Sequence, residues 1–321
     1  MTHRFTDSTI QRLMCWLILL PVLLLLTTPV EAATTKVKLI LPVETAAPGQ
    51  TFLAGLELKM ASGWHTYWRN PGDAGATTEI DWTLPPGVTA GEIQWPVPEK
   101  IKFGDLLTYG YHDEVVLLIP LTIAPTASPA SVELKGEASW LECEVQCVKG
   151  DDEVSAKLTI GATTKPSEHA PRIEAWKAKL PRSGSDIAVK AQWLEGPGGE
   201  KRAVLIEWTP RNAADSTIQR FNDSTTQRIG GADFYPYVGK GFEVSTVTEF
   251  LPPEAGKIRL KKQVTKFEGD WPTELAGLLI EKPDANSQQA FEVSCAISKA
   301  GPVAASGKAQ SLWVMLGFAF L

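Results

Sequence analysis

The stretch SVELKGEASW, residues 131–140, puts Val132, Leu134, Gly136, Ala138 and Trp140 on one side of the chain and Ser131, Glu133, Lys135, Glu137 and Ser139 on the other. Such alternation marks a half-buried β-strand, because successive side chains of an extended chain point to opposite faces. Working outward, runs of alternating or β-branched character recur at Lys36–Leu41, Thr51–Met60, Thr78–Leu84, Glu92–Trp95, Val115–Ile123 and Glu153–Ile160. Turn signals such as Pro48-Gly49, Asn70-Pro71-Gly72 and Pro85-Pro86-Gly87 separate them. About seven short strands with no long helical period predict an antiparallel sandwich of immunoglobulin-like type.

Beyond it, HAPRIEAWKAKL (169–180) sets Ile173, Trp176 and Leu180 on one helical face between Pro171 and Pro181, which predicts a short helix. A second strand series follows at Asp186–Leu194, Arg202–Trp208, Phe242–Phe250, Lys257–Val264, Ala276–Ile280 and Phe291–Ile297. The expected fold is therefore mainly β, with two immunoglobulin-like antiparallel β-sandwich domains (33–165 and 183–300) joined by a short helical linker (166–182). A chain of 321 residues has room for two such cores.

The ends read as targeting segments. The apolar run Met14–Leu26 follows Arg4 and Arg12 and precedes a small-residue stretch ending in Ala32-Ala33, the pattern of a cleaved secretory signal over residues 1–32. At 13 residues it falls short of the roughly 20 that span a bilayer. The apolar tail from Ser311 to Leu321 reads as the start of a truncated transmembrane segment behind a small, polar linker, within 301–321. A third oddity is a repeat: DSTIQR at 7–12 recurs at 215–220, and RFNDSTTQR follows at 220–228. Two adjacent copies and one remote copy do not make a solenoid. They read as a low-complexity insertion near 213–230 in a tolerant loop, with the first copy an upstream extension and translation starting at Met14.

The formal net charge of -6 and the scattered lysines and arginines exclude the basic footprint of a nucleic-acid binder. No Gly-x-Ser-x-Gly, His-Glu-x-x-His or glycine-rich phosphate loop points to a hydrolase or a nucleotide enzyme. Asp105, Asp113 and Glu114 around His112 read as a solvated strand end. Chemistry concentrates in Cys143-Glu144-Val145-Gln146-Cys147. In a straight strand, residues four apart lie about 13 Å from each other, beyond the reach of a disulfide, so bonding needs a tight turn or one helical turn after the strand. A loop this small contributes only about 2 kcal/mol as a staple, and a short, strained clip is readily reduced, so the pattern favours thiol-disulfide exchange. A structural clip and a two-thiolate Cu(I) site stay open as alternatives. Of the carboxylates nearby, Glu142, Glu144, Asp151 and Asp152 outnumber Lys149, so neither thiol is expected to ionise easily. Cys295 alternates with apolar neighbours and reads as a buried free thiol.

Several stretches together resemble the periplasmic N-terminal domain of the DsbD thiol-disulfide interchange family, especially its ScsB-like branch: GWHTYWRNPG (63–72), IDWTLPPG (80–87), IQWPVP (93–98), Tyr109-Gly110-Tyr111 and WLECEVQC (140–147). The resemblance implies an immunoglobulin-like domain that needs no cofactor or metal and exchanges electrons through Cys143 and Cys147. It implies a cap loop over Glu99–Asp105 with Phe103 shielding the sulfurs, and His65, Tyr67, Tyr109 and Tyr111 flanking the site. It further implies electrons arriving from a membrane electron-transfer domain and leaving to periplasmic thioredoxin-like proteins, in a periplasmic protein tethered to the inner membrane by its C-terminal segment. The cap carries Ile101 and Lys102 where the best-known members of that family have acidic residues.

Overall fold

A computed structural model describes residues 33–211, 231–284 and 287–300. The segment 1–32, the repeat near 213–230 and the tail 301–321 lie outside the described residues. Twelve strands build the first unit: β1 (Lys36–Ile40), β2 (Val43–Ala46), β3 (Thr51–Lys59), β4 (His65–Gly72), β5 (Glu79–Thr83), β6 (Val88–Ala90), β7 (Glu99–Phe103), β8 (Leu106–His112), β9 (Glu114–Ile123), β10 (Ala130–Cys143), β11 (Cys147–Ile160) and β12 (Lys165–Pro166). The helix α1 (Ala170–Lys177) follows. The second unit comprises β13 (Arg182–Ser183), β14 (Lys190–Trp193), β15 (Lys201–Trp208), β16 (Ala232–Pro236), β17 (Phe242–Val244), β18 (Glu249–Phe250), β19 (Ile258–Lys266), β20 (Glu274–Asp284) and β21 (Ser287–Ser298).

The first unit is a sandwich. One sheet runs β1-β3-β9-β6 and the other β12-β2-β11-β10-β4-β8-β7, with β5 paired to β10. Leu56, Leu58, Val115, Leu117, Leu134 and Trp68 fill the space between them, none more than 1% exposed. β9 departs from clean alternation because both of its faces are covered, one by the facing sheet and the other by α1. That helix inserts Ile173 and Trp176 into the first core, and its Arg172 bonds Glu57 of β3 (2.5 Å) and Glu114 of β9 (2.7 Å). It is thus docked on the first sandwich along its length and not suspended between units.

β10 and β11 form the longest hairpin, in unbroken register from Ala130↔Ile160 to Cys143↔Cys147. Trp140 lies across Gly150, its register partner; a Cβ there would come within 2.3 Å of the indole, so only glycine fits. The strand expected at Glu92–Trp95 is reduced to a single bridge, Gln94↔Leu118, since the prolines at 96 and 98 remove ladder donors. Strands β2, β4, β6, β7, β8 and β12 are additions to the expected set, and β4 and β8 supply His65, Tyr67 and His112 to the site.

The second unit is one strand path, β16-β20-β21-β14-β15-β19-β17, folded so that its two halves enclose Trp193, Val204, Ile206, Phe234, Leu279 and Phe291. Strand β16 was not expected from the pattern. It brings Asp233, Tyr235 and Pro236 against β4, β7 and β8 of the first sandwich, with Tyr235 joining the first core. Among the described residues no helix is long and apolar enough to cross a membrane.

Candidate functional site: a disulfide at the tip of a hairpin

The register of the strands assembles the site. In antiparallel ladders, residues directly opposite share a face. His112 of β8 pairs with His65 of β4, His65 pairs with Cys143 of β10, and Cys143 pairs with Cys147 of β11, so the four form one row across four strands. Tyr67, two residues beyond His65, shares that face, while Thr66, Trp68, Trp140 and Glu142 turn to the opposite, inner face.

Cys143 and Cys147 are bonded, with Cα atoms 4.1 Å apart, across the three-residue turn Glu144-Val145-Gln146. Of the two arrangements the spacing allowed, a tight turn or one helical turn, the chain adopts the tight turn, at the tip of a β-hairpin. The two sulfurs differ in environment: Cys143 is wholly buried, whereas Cys147 is exposed. The Tyr67 hydroxyl donates to Cys143 Sγ at 2.8 Å and lies 3.8 Å from Cys147 Sγ. Burial pushes the Tyr67 pKa up, so the phenol keeps its proton and acts as a donor. Gly75, at φ 119°, makes room for that ring, since a Cβ would stand 2.3 Å from it.

His65 is buried, and its Nε2 has no hydrogen-bond partner among the described residues. Its ring meets Tyr67 (5.3 Å between centroids), His112 (5.6 Å) and Phe103 (6.0 Å). Burial first, and the neighbouring His112 second, hold its pKa below the ordinary value, so it is a neutral imidazole beside the disulfide. His112 Nδ1 lies 3.1 Å from Glu99 Oε2. The cluster around His112 is thus built with Glu99, not with Asp105, Asp113 or Glu114, the last of which binds Arg172.

Phe103 reaches the row from the tip of the β7–β8 hairpin through the His65 ring. Tyr109 and Tyr111 make their contacts elsewhere. Tyr109 packs on Trp68 (5.9 Å) and on Tyr235 of the second unit (4.6 Å), and Tyr111 donates to the Pro96 carbonyl at 2.7 Å.

Two residues at the site were missed or misread from the sequence. Glu142 was read as a local charge opposing a thiolate, yet its carboxylate is fully buried on the inner face and accepts four hydrogen bonds. They come from the Thr34 amide (2.5 Å) and hydroxyl (3.0 Å), the Thr35 amide (3.0 Å) and the Trp140 indole (2.9 Å). Burial alone would raise its pKa, but the donors from Thr35, Thr34 and Trp140 outweigh it and hold the carboxyl below the ordinary range. Val145 stands 86% exposed at the turn, beside Cys147. Its signal was an apolar residue in the middle of the Cys-x-x-x-Cys spacer.

Cys295 is buried and free; burial, with Glu274 adding to it, pushes its thiol pKa up to about 11. It is a core thiol and takes no part in the site. Among the described residues, no group of three or more His, Cys, Asp or Glu side chains converges as metal ligands would.

An immunoglobulin-like sandwich that presents one sulfur of a hairpin disulfide to solvent, and buries the other against a hydroxyl donor, is built for thiol-disulfide interchange. Residues 37–159 match the family model of the thiol:disulfide interchange protein DsbD, N-terminal, and this part of the chain is a domain of that family. Across both units the fold is similar to the N-terminal periplasmic domain of ScsB from Proteus mirabilis, with a TM-score of 0.54 and 18% identity, covering 84% of this chain and 96% of that one. A protein of unknown function from Porphyromonas gingivalis W83 aligns over 82% of this chain and 99% of its own, at 10% identity and a TM-score of 0.23, too low to speak for the fold. No curated protein sequence matches the chain significantly.

Proposed function

We propose that the chain is a periplasmic thiol-disulfide oxidoreductase that takes electrons from a membrane electron-transfer domain and passes them, through Cys143 and Cys147, to oxidised proteins of thioredoxin-like fold. The observation that carries this reading is the asymmetry of the pair: Cys147 is open to an incoming sulfur and Cys143 is not. The family match supports it, as does the likeness to a periplasmic domain. Tethering to the inner membrane by the C-terminal apolar segment belongs to the same proposal.

In the reduced protein the Cys147 thiolate attacks a disulfide sulfur of the partner. The partner's S–S bond breaks, its second sulfur leaves with the electron pair, and a mixed disulfide forms. Cys143 then attacks Cys147 Sγ, its proton passing to the partner thiolate expelled in the first step, and the partner's other sulfur is released as a thiolate. The partner gains two electrons and the Cys143–Cys147 bond is restored. In the reloading direction a donor thiolate attacks Cys147 Sγ and Cys143 is the leaving group. Tyr67 serves this step, because a hydrogen bond to the departing sulfur stabilises the thiolate and a more stable leaving group departs faster. Phe103 and the hairpin that carries it form a cap that keeps small oxidants from the reduced pair.

The deciding experiment is a thiol titration of the protein against a glutathione series. A reversible couple above about -300 mV is expected; a potential well below it would mark an inert structural clip and sink the proposal. A second expectation concerns docking. The exposed Val145 beside Cys147 supplies the apolar contact a partner would bury, so Val145→Asp should lower the rate of exchange with a protein partner about tenfold. Reduction by dithiothreitol, which needs no docking surface, should be unchanged. Equal losses with both reductants would remove Val145 from the partner contact.

A further inference from the structure

Strand β7 ends its sheet and pairs only with β8, which is itself laddered to β4, so the edge strand leading to Phe103 is paired on one side only. Support comes from the second unit at three points. Lys100 of β7 reaches Asp233 of β16 at 2.6 Å. Tyr109, the register partner of Lys100, stacks on Tyr235 with centroids 4.6 Å apart. At the start of β8, Asp73 accepts from the Leu107 amide (2.9 Å) on one oxygen and from the Thr246 hydroxyl of the second unit (2.8 Å) on the other.

The acceptor is itself fixed. Asp233 receives hydrogen bonds from its neighbour's amide at Phe234 (2.7 Å) and from Thr248 (2.5 Å), and the wholly buried Lys262 stands 3.6 Å away, anchored on the Ser245 and Thr246 carbonyls. A carboxylate held by three groups of the second unit is pre-oriented for a cation from the first. Lys100 lies three residues from Phe103, roughly 10 Å along the strand. Holding one therefore limits the excursion of the other.

We propose that the second sandwich is the brace of the redox cap: Asp233 clamps the β7–β8 hairpin through Lys100 and so sets how freely Phe103 swings away from the Cys143–Cys147 pair. Lys100 and Asp233 are positioning residues; neither is placed near sulfur. The inference rests on the reading of Phe103 as a shield, and it assigns the second unit a role in the exchange reaction.

The test compares the whole protein with Lys100→Met, Lys100→Arg, Phe103→Ala and the Lys100→Met/Phe103→Ala double variant. Lys100→Met leaves the Asp233–Lys262 pair in place and keeps an apolar stem over the tyrosines. Two quantities are read: the alkylation rate of the reduced pair by iodoacetamide, and amide hydrogen exchange over residues 99–110. Lys100→Met is expected to speed both about fivefold, Lys100→Arg to restore both, and the double variant to be alkylated no faster than Phe103→Ala alone. The reduction potential should not move. If Phe103→Ala speeds alkylation while Lys100→Met changes neither quantity, the brace is wrong and the shield stands. If Lys100→Met speeds hydrogen exchange but neither variant changes alkylation, the shield is wrong, and the brace loses its bearing on the reaction with it.

Discussion

The Cys143→Ser variant is expected to accumulate a mixed disulfide through Cys147, and the Cys147→Ser variant to accumulate none, although each loses interchange by about 10³-fold or more. The asymmetry follows from burial. Cys147 is exposed at the start of β11, whereas Cys143 is 0% exposed under Tyr67 and beside His65. A partner sulfur must approach along the S–S axis, and from solvent only Cys147 offers that line. With Cys143 replaced, the first bond still forms at Cys147 but nothing remains to resolve it. With Cys147 replaced, the surviving thiol is covered. Non-reducing electrophoresis of either variant mixed with an oxidised thioredoxin-like protein separates the cases. Trapping through Cys143, or equal trapping by both variants, would overturn the assigned order of attack.

The largest effect on stability is expected from Glu142→Ala, about 3–5 kcal/mol, because the Thr34 and Thr35 amides and the Trp140 indole would each lose a buried acceptor. Urea unfolding measures it. The same carboxylate gives stability a pH dependence whose sign is fixed by its depressed pKa. Unfolded, Glu142 titrates near the ordinary value of 4.5; folded, it titrates lower. Its contribution is therefore complete above about pH 4.5 and is lost as the pH falls through the folded value. His65, held below its ordinary value of 6.5, adds a loss of the same direction that begins at higher pH. The difference between the protein and its Glu142→Ala variant isolates the glutamate: their stability gap should be constant from neutral pH to about pH 5 and narrow below it. A gap independent of pH would mean that the carboxylate is not what the three donors require.

The cysteine spacing and the alternation from Val132 to Trp140 were enough to expect a sandwich with a disulfide at a turn after a strand, because period two reports which face of a strand is apolar. Nothing so local marked the strands that complete the site. His65–Gly72 ends in Asn-Pro-Gly, which reads as a turn, and β7 is a short edge strand whose Lys100 is seated by Asp233 of the second unit. Glu142 and Glu144 are indistinguishable by composition, yet one is buried under four donors and the other is exposed, since only the inner face of β10 meets Thr34 and Thr35. By itself, then, the sequence determined the β class, the position of the disulfide and, through its motifs, the family. Tertiary structure alone decided the His112–His65–Cys143–Cys147 row, the inequality of the two sulfurs and the seat of Lys100 on Asp233. These depend on the pairing of strands distant along the chain, and periodicity within one strand carries no record of its neighbours.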